Sequence, residues 1–303
     1  MTAAPALTPF LETPFVIVTG VTGVGKTMTV AKAYHGAVWL VASSTGLHSF
    51  AAWCIKNWDK PDGPVALGMR TPVIPNPDFN PKKDISPDNP PAFNRAYEDG
   101  GMEVFVLNEM VVNPNGPGYV RVNARTDLAS YFTTFAAMKK ERAFPYTGIV
   151  MDEYSELLRR IEVNIDQDPS FGKDHFGRMD VVKEEHDFYC SMKRALDVPI
   201  IGLAHDREPT YESSETAFNR GLPTYGKLKY KGGPALPFGK MIDAMVQKTD
   251  VCVRMVMKSG LGKRVFLTKP QPDYFAKCRG EVDDEEPADL PALLRKALYR
   301  AGV

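Results

Sequence analysis

Residues 14–36 read PFVIVTGVTGVGKTMTVAKAYHG and carry the clearest structural signal in the sequence. An apolar run, Phe15 to Val18, predicts a buried strand, and the segment from Lys26 to Tyr34 predicts a helix. Between them, residues 20–27 fit the pattern Gly-x-x-x-x-Gly-Lys-Thr, which in phosphate-binding loops follows a strand and opens a helix. This glycine-rich loop (residues 20–27) therefore predicts an α/β fold arranged around a phosphate site.

Phosphate binding explains why each residue type occurs in the glycine-rich loop. Glycines let backbone N–H groups converge on phosphate oxygens, and the helix N-terminus adds positive potential. The Lys26 ammonium reaches the β- and γ-phosphates of a nucleotide, and the Thr27 hydroxyl is a ligand for Mg²⁺. We therefore expect ATP and Mg²⁺ as cofactors. The predicted nucleotide-binding residues are Gly20, Val21, Thr22, Gly23, Val24, Gly25, Lys26, Thr27 and Met28.

A second buried strand, Ile149 to Met151, ends in two carboxylates, Asp152 and Glu153, and a helical pattern follows. Carboxylates at the carboxyl end of a parallel strand face the crevice in which ligands bind. We expect Asp152 to hold Mg²⁺ together with Thr27, and Glu153 to orient or deprotonate the attacking water. An apolar run followed by Asp-Glu is by itself more often a solvated helix start, and only the glycine-rich loop favours the functional interpretation.

A third buried strand, Val198 to Leu203, leads to His205 on the same predicted edge. A polar side chain there can hydrogen-bond a γ-phosphate and signal its loss to the following loop. The alternative is a histidine that is merely satisfied at a strand end, and the sequence leaves both open.

The order of these segments predicts the fold class: an α/β, mostly parallel central sheet flanked by helices. At 303 residues the chain has room for one such domain, residues 1–303. Residues 56–119, rich in proline and asparagine, are predicted to be an insertion within it. A helix capped by Asp127 is expected to resume the core, and residues 282–303 to form an acidic segment and a short C-terminal helix.

Composition limits the kinds of partner, metal site and cellular location that we expect for this chain. There are 37 basic and 37 acidic residues, so a nucleic acid would have to be bound by a local basic patch. Four scattered cysteines without a Cys-x-x-Cys pair predict neither a zinc site nor a disulfide framework. The N-terminus lacks a basic region before its apolar run, so we expect no secretion and no membrane insertion. The predicted location is the cytoplasm.

One such basic patch follows the His205 strand. Residues 220–240 carry five basic residues and no acidic residue, interleaved with aromatic rings on a glycine-rich stretch. Ammonium groups that meet phosphates and rings that stack on bases are typical of sites for single-stranded nucleic acid. A solvated loop with ordinary lysines is the alternative. The predicted nucleic-acid-binding residues are Arg220, Lys227, Lys229, Tyr230 and Lys231.

Taken together, the segments GVTGVGKT, GIVMDE, IIGLAH and YFAKCRG make the chain resemble the RecA-like P-loop ATPases. It resembles in particular the compact versions that bacteriophages carry as recombination proteins. The resemblance extends from Phe15 to about Glu281 and leaves the insertion unexplained. It implies a homo-oligomeric ring or filament with ATP at the subunit interfaces, single-stranded DNA as a partner, and the host cytoplasm as the location if a phage encodes the chain.

The resemblance also implies residue roles. The neighbouring subunit would supply two basic catalytic residues, Lys277 and Arg279, from a strand end, and His205 would sense the γ-phosphate. Residues two apart on a strand point the same way, so both cations can approach one phosphate. One position departs from the family: the strand after the first helix ends VASSTG, without the catalytic glutamate that many relatives have there. Glu153 is the candidate to replace it, or turnover is slow.

These residues fit three functions. The first is an oligomeric DNA-dependent ATPase that acts in recombination, strand annealing or replication. The second is a non-hydrolysing, ATP-gated binding or loading factor for a DNA-processing partner, which the missing strand-end glutamate favours. The third is a small-molecule kinase, for which the insertion offers basic residues too dispersed to form a lid.

Overall fold

A computed structural model describes residues 13–42, 45–66, 103–107, 109–113, 115–142, 144, 146–166, 175–211, 228–237, 242–258, 262–278 and 280–298. The strands in these ranges are β1 (Phe15–Gly20), β2 (Val38–Val41), β3 (Glu103–Val106), β4 (Met110–Val112), β5 (Tyr119–Arg121), β6 (Ile149–Asp152), β7 (Ile200–Arg207), β8 (Thr210–Tyr211), β9 (Leu228–Tyr230), β10 (Gly233–Pro234), β11 (Val251–Lys258), β12 (Lys263–Leu267) and β13 (Glu285–Pro287). The helices are α1 (Lys26–Ala33), α2 (Thr45–Asn57), α3 (Ala124–Lys140), α4 (Tyr154–Asp166), α5 (His175–Leu196), α6 (Ile242–Lys248) and α7 (Leu290–Leu298). In this part of the chain, no helix has the length and apolar character needed to cross a membrane.

The centre of the fold is a mixed sheet in the order β13-β12-β11-β1-β7-β6-β2-β3, with β10 paired to β7. The strands from β11 to β3 run parallel to one another, whereas β12, β13 and β10 are antiparallel to their neighbours. Helices flank the sheet, so the predicted α/β class with a mostly parallel central sheet is confirmed. The order along the sheet inserts β7 between β1 and β6, which the sequence did not indicate.

The central strands are apolar because both of their faces are covered. In β1, Phe15 and Ile17 face a core formed with α3, α4, α5 and α6. Val16 and Val18, which alternate with them, face a second core formed with α1, α2 and α7. A strand buried on both sides reads as a continuous apolar run, and this explains why the glycine-rich loop has such a run before it.

Parallel pairing brings the functional segments to one edge. Gly20 at the end of β1 is in register with His205 of β7, and Val41 at the end of β2 is in register with Asp152 of β6. Since all these strands run the same way, their carboxyl ends meet at the same edge of the sheet. We call this the carboxyl edge.

Part of the predicted insertion belongs to the central sheet. β3, at residues 103–106, pairs in parallel with β2 and forms an edge of the sheet, while β4 and β5 form a separate hairpin. Residues 67–102 lie outside the described residues. After β5, the N-cap of α3 is Asn123, whose side chain accepts a hydrogen bond from Thr126 N–H. The expected cap, Asp127, is therefore wrong: it lies in the first turn, one turn too late to accept from the first amides.

The C-terminal segment packs on the same domain. β13 extends the sheet beside β12, and α7 places Leu290, Leu293, Leu294 and Ala297 in the core shared with α1. Its apolar positions recur at helical spacing, which is why so short a helix docks against the domain.

Candidate functional site

The glycine-rich loop joins β1 to α1 at the carboxyl edge. Gly23 and Gly25 have φ values of 81° and 97°, in the left-handed region that glycine enters without steric cost. Gly25 is the N-cap of α1, and as a glycine it offers no side chain to accept from the first turn. The first amide N–H groups of α1 are thus left for another acceptor, and an anion is the natural one.

Lys26 folds back over the start of the loop. Its ammonium donates to the carbonyl oxygens of Gly20 (2.7 Å) and Val21 (3.2 Å). Burial lowers the pKa of Lys26, while the charges of Asp206, Asp152 and Glu153 oppose that shift. A partly dehydrated cation that is hydrogen-bonded to neutral carbonyls would gain by meeting a phosphate.

Thr27 and Asp152 are brought together from α1 and β6. The Thr27 hydroxyl donates to the Asp152 carboxylate, with oxygen separations of 3.1 and 3.3 Å. Burial raises the pKa of Asp152 to about 6, and the hydrogen bond from Thr27 lowers it in part. A buried carboxylate beside a hydroxyl is an oxygen pair that suits Mg²⁺, which binds few protein ligands and keeps water and phosphate oxygens for its other positions. No group of three or more His, Cys, Asp or Glu side chains in the described residues is placed to hold a metal.

Glu153 occupies an uncommon backbone conformation. Its φ of 59° lies in the left-handed region, where a residue other than glycine is strained by roughly 1 to 3 kcal/mol. Its N–H donates to Asp152 Oδ1 at 3.0 Å, and its carbonyl accepts from Glu156 and Leu157 at the start of α4. The sharp turn between β6 and α4 therefore sets the directions of the Asp152 and Glu153 carboxylates.

His205 lies on β7, between β1 with its glycine-rich loop and β6 with Asp152. Its Nδ1 is 3.4 Å from Thr22 Oγ1 in the glycine-rich loop, and its backbone N–H donates to Ser155 Oγ of α4 at 3.2 Å. His205 thus contacts the glycine-rich loop through its side chain and the first turn of α4, just after Glu153, through its backbone. A ligand seated between Thr22 and Glu153 would be in reach of the imidazole.

These side chains surround a cavity of about 430 Å³ at the carboxyl edge, which we call the loop cavity. It is lined by Thr22, Gly23, Gly25, Lys26, Thr27, Met28, Ser49, Asp152, Glu153, Leu203, Ala204, His205 and Arg264. A larger cavity of about 620 Å³ adjoins it, and Glu153 and His205 line both. The predicted catalytic and metal-binding residues on β6, β7 and α1 therefore converge on one space.

Sequence reasoning missed three polar residues of this region. Asp206, next to His205, accepts from Thr19 Oγ1 at 2.6 Å and pairs with Arg254 Nε at 2.8 Å behind the loop. Arg264 lines the loop cavity from β12, and Ser49 lines it from α2. Only the position of Asp206 after a strand-end histidine offered a signal, because Arg264 and Ser49 are brought in by tertiary packing.

Lys277 does not join the cluster in its own chain. Its backbone forms an isolated bridge with Cys252, and its ammonium donates to the carbonyls of Val246, Gln247 and Thr249, at the end of α6 and just after it. These carbonyls precede β11, at the end of the sheet opposite the carboxyl edge. A role in a neighbouring subunit stays a prediction, and Arg279 lies outside the described residues.

Three of the predicted nucleic-acid-binding residues lie on or beside β9. Tyr230 has the cations of Arg207 and Lys229 at 5.6 and 5.5 Å from its ring centre, and Lys231 lies 5.5 Å from the ring of Phe275. Arg220 and Lys227 lie outside the described residues. The ring and the cations thus form a mixed basic and aromatic surface, which includes Arg207, two residues after His205 on β7.

Neither a scan against protein-family models nor a search of curated proteins finds a match to this chain. What the loop cavity can do therefore follows from its own residues.

Proposed function

We propose that the chain is a RecA-like P-loop ATPase that binds ATP with Mg²⁺ and hydrolyses it in a homo-oligomer stimulated by single-stranded DNA. One observation carries the proposal: Lys26, His205 and the hydrogen-bonded pair of Thr27 and Asp152 line one cavity, and the strand that carries His205 lies between β1 and β6. This arrangement supplies a phosphate cradle, a metal-binding oxygen pair and a polar reporter within one space. The resemblance of the four sequence segments to that family supports the same conclusion.

The residues divide the chemistry among them. Amides at the start of α1 bind phosphate oxygens, and Lys26 exchanges its loop carbonyls for the β- and γ-phosphates. Thr27 and Asp152 would hold Mg²⁺, which when bound neutralises charge on the phosphates. Glu153, aimed into the cavity by its strained turn, orients the attacking water and accepts its proton. His205 hydrogen-bonds the γ-phosphate.

The surface around Tyr230 supports single-stranded DNA as the partner. β7 carries His205 in the site and ends at Arg207, whose guanidinium lies over the Tyr230 ring. A change at the γ-phosphate could thus pass from His205 to Arg207, two residues further along β7, and from there to the ring that would stack on a base. The expected setting is recombination, strand annealing or replication in a cytoplasm, that of the host if the chain is phage-encoded.

The test is ATP turnover with and without single-stranded DNA. We expect DNA to raise the wild-type rate, and Lys26→Ala to lower it at least about a hundredfold because the γ-phosphate loses its cation. Lys56→Ala, on an exposed position at the end of α2, is the matched control and should keep the wild-type rate. DNA-independent turnover by a stable monomer would contradict the proposal.

A second candidate is an ATP-gated binding or loading factor without turnover. It is favoured by the end of β2, where Val41 and Ala42 bring no carboxylate to the carboxyl edge beside Asp152. Nucleotide binding with negligible hydrolysis, together with nucleotide-dependent capture of a DNA-processing partner, would select it. A small-molecule kinase is the third and least supported function.

A further inference from the structure

Arg264 reaches the glycine-rich loop from 240 positions further along the chain. β12 returns antiparallel to β11, so its first residues come back to the carboxyl edge, and Arg264 is in register with Met257. From there the Arg264 Nε–H donates to the carbonyl oxygen of Val24 at 2.7 Å. The Arg264 side chain is therefore held near the last residues of the loop. The Lys26 ammonium, by contrast, is hydrogen-bonded to the loop's first two carbonyls.

The guanidinium lies directly against the start of α1. A Cβ built on Gly25 would be 2.7 Å from Arg264 Nε and 3.2 Å from its Nη2, so the two groups are in van der Waals contact. Gly25 is the N-cap whose following amides are left for an anion. Arg264 also lines the loop cavity together with Lys26 and Thr27.

Most of the side-chain donors of Arg264 have no partner among the described residues. Within that part of the chain, its side chain makes one hydrogen bond and no ion pair. Arg254, the other arginine near the loop, is by contrast paired with Asp206 and Glu208 and stacked 3.9 Å from the ring centre of Tyr274. A guanidinium carries five N–H donors in a planar fork that matches phosphate oxygens. Arg264 therefore has N–H groups that can bind a ligand, whereas the Arg254 side chain is held by contacts within the fold.

Positive charges line the loop cavity from both ends of the glycine-rich loop. The Arg264 guanidinium, the Lys26 ammonium and the positive end of α1 all face one space. An anion placed among them would relieve their repulsion and satisfy the open amides together. This argument rests on the proposed function, since it takes the anion to be the phosphate chain of a nucleotide.

We propose that Arg264 is a phosphate-binding residue of its own chain's nucleotide site and holds the phosphates seated at the start of α1. Those phosphates are present in ADP and ATP alike, whereas a residue that contacts the γ-phosphate affects ATP alone. Arg264 thereby supplies the positive charge beside the start of α1 from the same subunit, independently of any basic residue from a neighbour.

The experiment measures dissociation constants for ADP, ATP and inorganic pyrophosphate by calorimetry, for wild type, Arg264→Gln and Arg264→Lys. Glutamine keeps a neutral donor for Val24 but loses the charge, whereas lysine keeps the charge without the fork. Lys263→Gln is the matched control, because Lys263 is the preceding exposed residue of the same strand and does not line the cavity.

We expect Arg264→Gln to weaken all three ligands by about ten- to a hundredfold, the range for a hydrogen bond to a charged group. Arg264→Lys should fall between it and wild type, Lys263→Gln should match wild type, and the salt dependence of binding should be shallower in Arg264→Gln. Unchanged affinity in Arg264→Gln, with wild type binding normally, overturns this proposal alone.

Three further results also overturn it. A loss confined to ATP would place Arg264 on the γ-phosphate, and a loss for both nucleotides with pyrophosphate binding retained would place it on the base. Weaker binding in Arg264→Lys than in Arg264→Gln would show that a positive charge at this position does not help to hold the phosphates. A wild-type protein that binds none of the ligands would instead overturn the proposed function, and this assignment with it.

Discussion

Asp152 illustrates how a single residue of the candidate site opposes folding. Its carboxylate is buried at the end of β6, and burial raises its pKa to about 6. A carboxyl group whose pKa is higher in the folded than in the unfolded chain makes the fold less stable once it is ionised. The protein therefore carries a buried negative charge near neutral pH that a bound cation would compensate.

We predict that Asp152→Asn stabilises the metal-free protein and removes ATP turnover. The amide keeps an acceptor for Glu153 N–H and can donate to Thr27, while the buried charge disappears. The expected gain in the free energy of unfolding is about 1 to 3 kcal/mol at pH 8 in a chelator, measured by urea denaturation. Asp180→Asn, at an exposed position of α5, is the control and should change little. A destabilised Asp152→Asn would contradict the prediction.

His186 is a buried residue whose charge state determines acid stability. Its Nδ1 accepts from the Tyr154 hydroxyl at 2.7 Å and its Nε2–H donates to the Met245 carbonyl at 3.0 Å, joining α5 to α4 and α6. Burial lowers its pKa from 6.5 to about 4. The unfolded chain therefore takes up this proton at a higher pH than the folded one.

It follows that His186 supports the fold fully above about pH 6.5 and that this support is lost as the pH falls toward 4. The loss is about 3 kcal/mol over that window. In His186→Gln we expect lower stability at pH 7.5 and a flatter dependence on pH between 6.5 and 4, measured by urea unfolding at several pH values. The carboxylates titrate in both proteins, so the difference isolates this ring. The same slope in both proteins would refute the assignment.

At the scale of elements, Lys277 connects a helix end to the sheet. Carbonyl oxygens at the end of a helix have no partners within the helix, and the Lys277 ammonium supplies donors to those at the end of α6 and just after it. A cation at a helix C-terminus also interacts favourably with the helix dipole. This contact gives the residue a structural role in its own chain.

We therefore predict that Lys277→Met lowers the free energy of unfolding by about 1 to 3 kcal/mol, because the carbonyls at the end of α6 lose a charged donor. Lys269→Met is the control, since Lys269 is exposed and lies 4.0 Å from Asp284. Chemical denaturation of both variants measures the effect. Wild-type stability of Lys277→Met combined with lost ATP turnover would instead support the catalytic role in a neighbouring subunit.

The elements also show where local patterns suffice. β1, α1 and β6 begin within two residues of their predicted starts, because apolar runs, glycines and strand-end carboxylates lie next to one another in the sequence. The cap of α3 was assigned to Asp127 and is Asn123, since two polar residues a turn apart compete for the same role and only the backbone direction selects one. The sequence predicts that the edge strand β3 lies within an insertion, because the composition of these residues does not indicate that they pair with β2.

At the scale of the whole molecule, the resemblance to RecA-like ATPases predicts a site shared between subunits, with Arg279 acting on the neighbour's nucleotide. Mixing Lys26→Ala with Arg279→Ala should then restore turnover, because some interfaces pair an intact loop with an intact arginine. In a random equal mixture these are about a quarter of all interfaces, so we expect about a quarter of the wild-type rate.

The matched control mixes Lys26→Ala with the double variant Lys26→Ala/Arg279→Ala, in which no interface has an intact loop. Activity is measured as DNA-stimulated ATP turnover, and light scattering confirms that the variants assemble together. Co-assembly without recovery would argue against the shared site.

Local sequence patterns are enough to predict the glycine-rich loop, the Asp152-Glu153 strand end and the α/β class, because each depends on residues adjacent in the chain. The position of β7 between β1 and β6 follows from long-range packing, and it puts His205 between the glycine-rich loop and the strand end at Asp152 and Glu153. The same packing brings Arg264 against Gly25 and Lys277 to the end of α6. Those contacts depend on strand order and on the antiparallel return of β12, which many distant side chains fix together and no short segment encodes.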